Sequence, residues 1–439
     1  MYRWWVLMLV ACAAASPRPA SDAVDTVNAV DAANVASPRI RAAIRDNAAL
    51  GKLWAELKDK APLVEAYPGD PSSRLVTFVF RSRARYVGMI GAPMVGDRPM
   101  IRIGTSDTHY LTARVPAESH FDYAFSEADN PPPLHERVVP DQPRSVDARY
   151  AARLRDPNNP NVHGGSSRVD LPGPLEPGPW LADDPATPRG TLTSITITSA
   201  VLGEPRRVSV YVPPGSTTSA RRPILVAFDG DDYGIQAPAD VPLPRILDNL
   251  IAAKKIPPVV VALVSTREQR RRDLFSSEPF AQFVVAELIP RLQTEFNGTL
   301  DAAQTIVTGS SLGGNQALYL GIHHARVVGN VLTSSAALWQ RPHQFDGDPP
   351  DYLEGNALTH ELATTPVRPV RFYIGVGLFE NHLRDANRQL RLVLQAKGYA
   401  HHYVEFPGGH DPSLWAHTLA DGLIELLGSQ EGLDTYWQR

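Results

Sequence analysis

Apolar residues change their spacing twice along this 439-residue chain, and each regime predicts a different kind of element. From about Ile40 to Lys60 the positions Ile44, Leu50, Leu53, Trp54 and Leu57 fall near a 3.6-residue repeat, which predicts one amphipathic helix. The period then drops to two. "RLVTFVFRS", "RYVGMIGAP", "PMIRIGTSDTHYLTARV" and "HFDYAFSEA" alternate or run apolar between Gly, Pro and Asp, which predicts short antiparallel strands. Residues 40–128 therefore read as a small all-β domain, an immunoglobulin-like sandwich. Over 129–190 proline is dense, in "NPPP", "DPNNPNVHGG" and "LPGPLEPGPW". Proline cannot donate to a ladder, so this stretch is expected to be a wrapped connector without regular sheet.

From Leu192 onward apolar runs alternate with helical patterns. "RRVSVYVPP", "RPILVAFDG", "PPVVVALVS", "QTIVTG", "GNVLTSSAAL", "VRFYIGVG" and "HHYVEFPGG" read as strands. Leu243–Lys254, Glu278–Phe296, Gly314–His324 and Asn381–Lys397 read as helices. Continuous Val and Ile runs mean strands buried on both faces, hence a mostly parallel sheet covered by helices over 191–430. In such a sheet the active site lies at the carboxyl ends of the strands.

Charge adds an exclusion. The 43 Lys and Arg against 47 Asp and Glu, with a pI near 6.4, give no electrostatic case for a nucleic-acid partner. The opening "MYRWWVLMLVACAAASPRP" reads as a secretory leader over 1–16, too short to span a bilayer. Its Cys12, the single cysteine of the chain, closes "LVAC", which resembles a bacterial lipobox; the alternative is ordinary cleavage near Ala15. The expectation is a periplasmic, membrane-anchored lipoprotein with residues 17–39 as a tether, and no disulfides. No metal site, cofactor motif or phosphate-binding loop is legible.

The chemistry concentrates in "TGSSLGGNQAL", Thr308–Leu318. Glycines two residues before and after Ser311, a strand before it and a helix after it, predict a sharp turn that lifts the hydroxyl to the sheet edge as a nucleophile. A serine hydroxyl needs a base. Of thirteen histidines only His410, in "FPGGHDPSLW", follows a predicted strand end directly. The orienting acid is expected after the preceding strand, in "GVGLFENHLRD": Glu380 first, Asp385 one helical turn later as the alternative. An oxyanion hole would use the backbone N–H groups of Leu312 and of Asp231, in "FDGDDYG".

These residues resemble the enterochelin esterases, siderophore trilactone hydrolases of the esterase-D branch of the α/β-hydrolases. "PLVEAYPGD" and "GTSDTHYLTARVPAESHFDYAF" are similar to that family's N-terminal domain, and "DPNNPN" to its connector. "FDGDDY", "REQRRRDLFSSEPFAQFVVAELIP", "GSSLGG", "GVGLFE" and "GGHDPSLW" follow in the family's order. The resemblance implies an α/β-hydrolase domain over 191–430, a triad of Ser311, Glu380 and His410, and Arg270 on the family's conserved arginine. The "RRR" of Arg270–Arg272 would then face a multiply anionic ferric catecholate, unless it is only a solvated charged patch. Two residues depart from the pattern: Ser310 stands where glutamine is common, and Ala416 follows Trp415 where arginine is usual. The expected activity is hydrolysis of an ester or lactone of a catecholate siderophore, iron-loaded or free. The alternatives are a carbohydrate or feruloyl esterase with an accessory β-domain, and a non-catalytic siderophore-binding lipoprotein.

Overall fold

The computed structural model describes residues 36–94, 97–130, 152–172, 178–215, 220–235, 239, 241–266, 269–339 and 356–428. The leader, Cys12 and most of the tether lie outside the described residues.

The predicted opening helix is two helices, Pro38–Arg45 and Asn47–Leu57. Asp46 divides them: its extended backbone cannot continue the first helix, and its carboxylate accepts from the N–H groups of Ala48 and Ala49 at 2.9 and 3.3 Å. Periodicity runs through the break because a cap alters backbone direction, not apolar spacing.

Two antiparallel sheets follow. The first orders strands Leu63–Ala66, Ser73–Arg81, Thr108–Pro116 and Ile101–Arg102. The second orders Asp97–Pro99, Tyr86–Gly91, His120–Ala128, Ser166–Asp170 and Val162–His163. Their facing side chains form one core, in which Phe78 meets Phe121 and Tyr123 and Phe80 stacks on Phe125. The connector departs from expectation. Its Ser166–Asp170 pairs with His120–Tyr123, and "DPNNPN" closes over the same strand: Asp156 accepts from the Tyr123 hydroxyl at 2.8 Å, and Asn159 Nδ2 donates to it at 3.2 Å. Between Pro160 and Pro172 eleven residues run free of proline, enough for the five-residue strand Ser166–Asp170.

The larger sheet has eight strands in the order Thr191–Ser199, Glu204–Val212, Val260–Val264, Ile224–Ala227, Thr305–Ser310, Asn330–Ser334, Arg371–Gly377 and His401–Phe406. The last six are mutually parallel, and Glu204–Val212 runs antiparallel to both its neighbours, Thr191–Ser199 and Val260–Val264. The period of two sorts its apolar residues into two cores: Ile224 and Val226 with Phe280 and Leu318 on one face, Leu225 and Ala227 with Leu247 and Leu423 on the other. Each buried Val, Leu, Ile or Phe among them contributes about 1.5–3 kcal/mol by leaving water, so neither face tolerates a register slip. The edge strand Thr191–Ser199 is largely exposed and rich in Thr and Ser, which hides it from a search for apolar runs. Glu278–Phe296 is helical but passes through a π segment, Phe283–Leu288, just before Pro290, whose missing N–H the wider turn absorbs. The final helix, Pro412–Leu427, buries its apolar face against the central strands.

Candidate active site

Strain gathers where the parallel strands end. Asp229 (φ 52°), Ser311 (φ 56°), Ser335 (φ 53°) and Asn381 (φ 29°) all follow such strands and all have positive φ without being glycine. Conformations of this kind cost about 1–3 kcal/mol each and survive only where surrounding structure enforces them. Ser311 is held by three main-chain bonds: its N–H donates to Ser334 O at 3.0 Å, while its carbonyl accepts from Ala337 at 2.9 Å and Asn315 at 3.1 Å.

The glycines explain why the turn closes. A Cβ on Gly309 would sit 2.5 Å from the Gly313 carbonyl carbon, and one on Gly314 would sit 2.9 Å from the Ala336 backbone. Gly313 itself has room, since a methyl there would come no closer than 3.5 Å to any neighbouring atom. The crowded pair is thus Gly309 and Gly314; Gly313 matters for the backbone that Gly309 approaches.

His410 follows the strand His401–Phe406, and its Nδ1 is hydrogen-bonded to Glu380 Oε1. The other oxygen of Glu380 accepts from Ser335 Oγ and from the Gly377 N–H, both at 2.6 Å. Three donors therefore fix a carboxylate whose side chain is 2% exposed. Asp385 is 58% exposed and paired with Arg384 and Arg388 on the helix His382–Lys397. Of the two acids, only Glu380 meets His410. Trp415 completes the support: its indole N–H donates to Ser335 Oγ at 2.9 Å, and its ring stands edge-on to the His410 imidazole at 4.8 Å. Trp415 ends the "GGHDPSLW" motif, whereas Ser335 carries no motif that would mark it in sequence.

Ser311, Glu380 and His410 line one cavity of about 580 Å3, together with Met94, Tyr123 and His163 of the first unit. The volume suits a small-molecule ligand. Leu312 and Asp231 are not part of that wall. Leu312 opens the helix Leu312–His323, whose first N–H groups have no partner within the helix. The Asp231 carboxylate accepts from Ser265 Oγ, and the same loop is tied to the strand before Ser311 by Tyr233, whose hydroxyl meets Ser310 Oγ at 2.5 Å. Burial pushes the Tyr233 phenol well above its ordinary value, so it stays neutral. Ser310 thus has a structural task, and Ala416 is buried in the core beneath the last helix.

Arg270 also lies outside the cavity wall. Its Nε lies 3.0 Å from both Asp229 oxygens and its Nη2 2.8 Å from one, a pairing that braces the loop preceding Asp231. Arg272 is likewise paired, with Glu204 and Asp273. Arg271 instead lies over the rings of Phe275 and Trp339, at 5.1 and 5.9 Å.

A parallel sheet whose strand ends carry a strained serine between strand and helix defines the α/β-hydrolase class. The chain belongs to the Esterase family, whose profile matches residues 199–426, more than half of its length. It is by that membership a carboxylic ester hydrolase. It is 30% identical over 290 residues to the iron(III) enterobactin esterase of Dickeya dadantii, an alignment covering 63% of this chain and 66% of that one. Against the iron(III) salmochelin esterase of Escherichia coli it is 26% identical over 420 residues, covering 90% of this chain and 98% of the relative. Among solved structures, the enterobactin esterase of Shigella flexneri determined in the presence of enterobactin superposes with a TM-score of 0.62 at 24% identity, over 84% of this chain and 96% of that one. At that identity the superposition establishes the shared fold.

Proposed function

We propose that this chain is a serine esterase that hydrolyses ester or lactone bonds of a catecholate siderophore such as enterobactin. Ser311 attacks the carbonyl while His410 takes its proton, and Glu380 holds the imidazole in the tautomer that leaves Nε2 free to accept. The N–H groups of Leu312 and Asp231 receive the oxyanion. His410 then returns the proton to the leaving hydroxyl, and water releases the acyl group by the same steps in reverse. Arg270 bears on the anionic substrate with a guanidinium already shared with Asp229. The first unit is an accessory domain of immunoglobulin type, and acylated Cys12 holds the enzyme to a membrane facing the periplasm.

The observation that carries the reading is the buried, triply bound Glu380 on His410 in the cavity that holds the strained Ser311. The enterobactin and salmochelin esterases among its relatives point to the substrate. Products from ferric and iron-free catecholate trilactones, identified by mass, test it, with a feruloylated oligosaccharide as competitor. Linear catechoyl-serine fragments are expected from wild type and none from Ser311→Ala. Undiminished turnover by that variant would sink the proposal.

A further inference from the structure

The first unit reaches the loop that carries His410 at several points. His120 N donates to Pro407 O at 3.0 Å, and a parallel bridge pairs His120 with Gly408. Phe121 packs edge-on against Phe379, neighbour of Glu380, at 5.4 Å and 84°. Phe379 N in turn donates to Gly408 O at 2.9 Å. The tightest link is ionic. Arg168, in the strand Ser166–Asp170, donates through Nη1 to Asp411 Oδ2 at 2.5 Å and through Nη2 to Ser413 Oγ at 2.9 Å. Asp411 directly follows His410, and its other oxygen accepts from Ser413 N at 2.9 Å, capping the helix Pro412–Leu427. The pair is 12% and 4% exposed, so water does little to screen it.

Arg168 is shared. Asp170 accepts from its Nε at 2.8 Å, and Asp122 from its Nη1 at 3.3 Å. One guanidinium thus gathers three carboxylates, two from the first unit and one from the loop of the proposed base. Burial by itself would lower the arginine's affinity for its proton, yet the carboxylates, Asp411 foremost, hold its pKa above the ordinary value. A buried carboxylate left without that partner would be driven to move toward water.

We propose that Arg168 is a positioning residue for the esterase reaction: the connector strand of the N-terminal unit holds the His410 loop in register with Ser311 through Asp411. The inference rests on the triad reading given above. It makes the β unit a working part of the active site, since it fixes the loops of base and acid from outside the α/β sheet. Gly408 belongs to the same contact, because a Cβ there would lie 1.9 Å from Leu414 and 3.0 Å from His120 O.

The test uses the full chain, a neutral p-nitrophenyl ester, and thermal melting of every variant. Arg168→Ala is expected to lower kcat between about tenfold and a hundredfold with KM within about twofold, as misplacement of a catalytic group does. Arg168→Lys should recover part of the loss. Asp411→Asn keeps the helix cap while removing the ion pair, and should reproduce the kcat defect even if Arg168→Ala does not fold. The double variant should be no slower than Arg168→Ala, showing that the two residues act as one unit. Amide exchange over 407–411 should quicken in step with the loss of kcat. Folded variants with unchanged kcat, or fully additive losses, would overturn the inference. Ser311→Ala on the same ester separates the premises: activity that survives it refutes the triad instead.

Discussion

At the scale of single residues, the site is decided by who donates to Glu380. Its two oxygens take three bonds, from His410, Ser335 and the Gly377 main chain. Glu380→Gln keeps the shape but can present the wrong donor to the imidazole, and kcat is expected to fall by about 10^3 or more. Asp385→Asn, at an exposed ion pair on the helix surface, should leave kcat within about twofold. Ser335→Ala removes a bond to a buried charge, which is typically worth about 1.5–3 kcal/mol, or roughly ten- to a hundredfold in kcat. Steady-state kinetics on one ester ranks all three, and equal losses for Glu380→Gln and Asp385→Asn would reverse the assignment of the acid. Ser311 is legible in the sequence because it follows the strand Thr305–Ser310 directly, and His410 because the short turn after His401–Phe406 carries no other histidine. Glu380 is legible only as one of two acids, since spacing along a turn does not say which carboxylate points inward.

At the scale of elements, the turn from strand Thr305–Ser310 into helix Leu312–His323 has a testable asymmetry. A methyl on Gly309 meets backbone at 2.5 Å, whereas one on Gly313 finds ordinary contacts at 3.5 Å. Gly309→Ala should therefore lose about 1–3 kcal/mol of stability, or more where the backbone cannot shift. Gly313→Ala should melt close to wild type, and calorimetry of the pair decides. The G-x-S-x-G pattern marks the right turn but assigns equal crowding to both glycines, because sequence order does not show which backbone passes over which Cβ. The same limit explains why periodicity predicts one opening helix where there are two. The apolar stripe continues through Asp46, and only the cap geometry reveals the break.

At the scale of the whole molecule, two features bear on behaviour in solution. Burial lowers the pKa of His109, with Arg102 adding to the effect, of His402, and of His417, where His120 contributes. A histidine kept neutral in the folded state binds fewer protons than it does unfolded. Its stabilising contribution is therefore whole above about pH 6.5 and is lost as pH falls through the lowered folded value. Melting temperature is expected to hold above neutrality and to drop as pH falls below about 6.5, the ordinary histidine value. His402 stacks on Tyr373 at 4.9 Å, so His402→Phe keeps the stack and should flatten that drop. An unaltered pH profile would remove His402 from the account. The second feature is the seam between the units, where residues 120–170 meet 379–413. Nothing in local patterning anticipates it, since its partners stand more than two hundred positions apart.

The amino-acid order by itself determined the two regimes of sheet, their succession along the chain, and the strand ends from which Ser311 and His410 emerge. Apolar period and glycine placement are local properties, and local sterics and burial act on them wherever the segment lies. Folding in three dimensions decided that Glu380 and not Asp385 reaches the imidazole, that Arg270 is shared with Asp229, and that the proline-rich connector yields a strand whose Arg168 grips Asp411. Those outcomes depend on which buried charges find partners across separate layers, and that pairing exists only once the layers have packed.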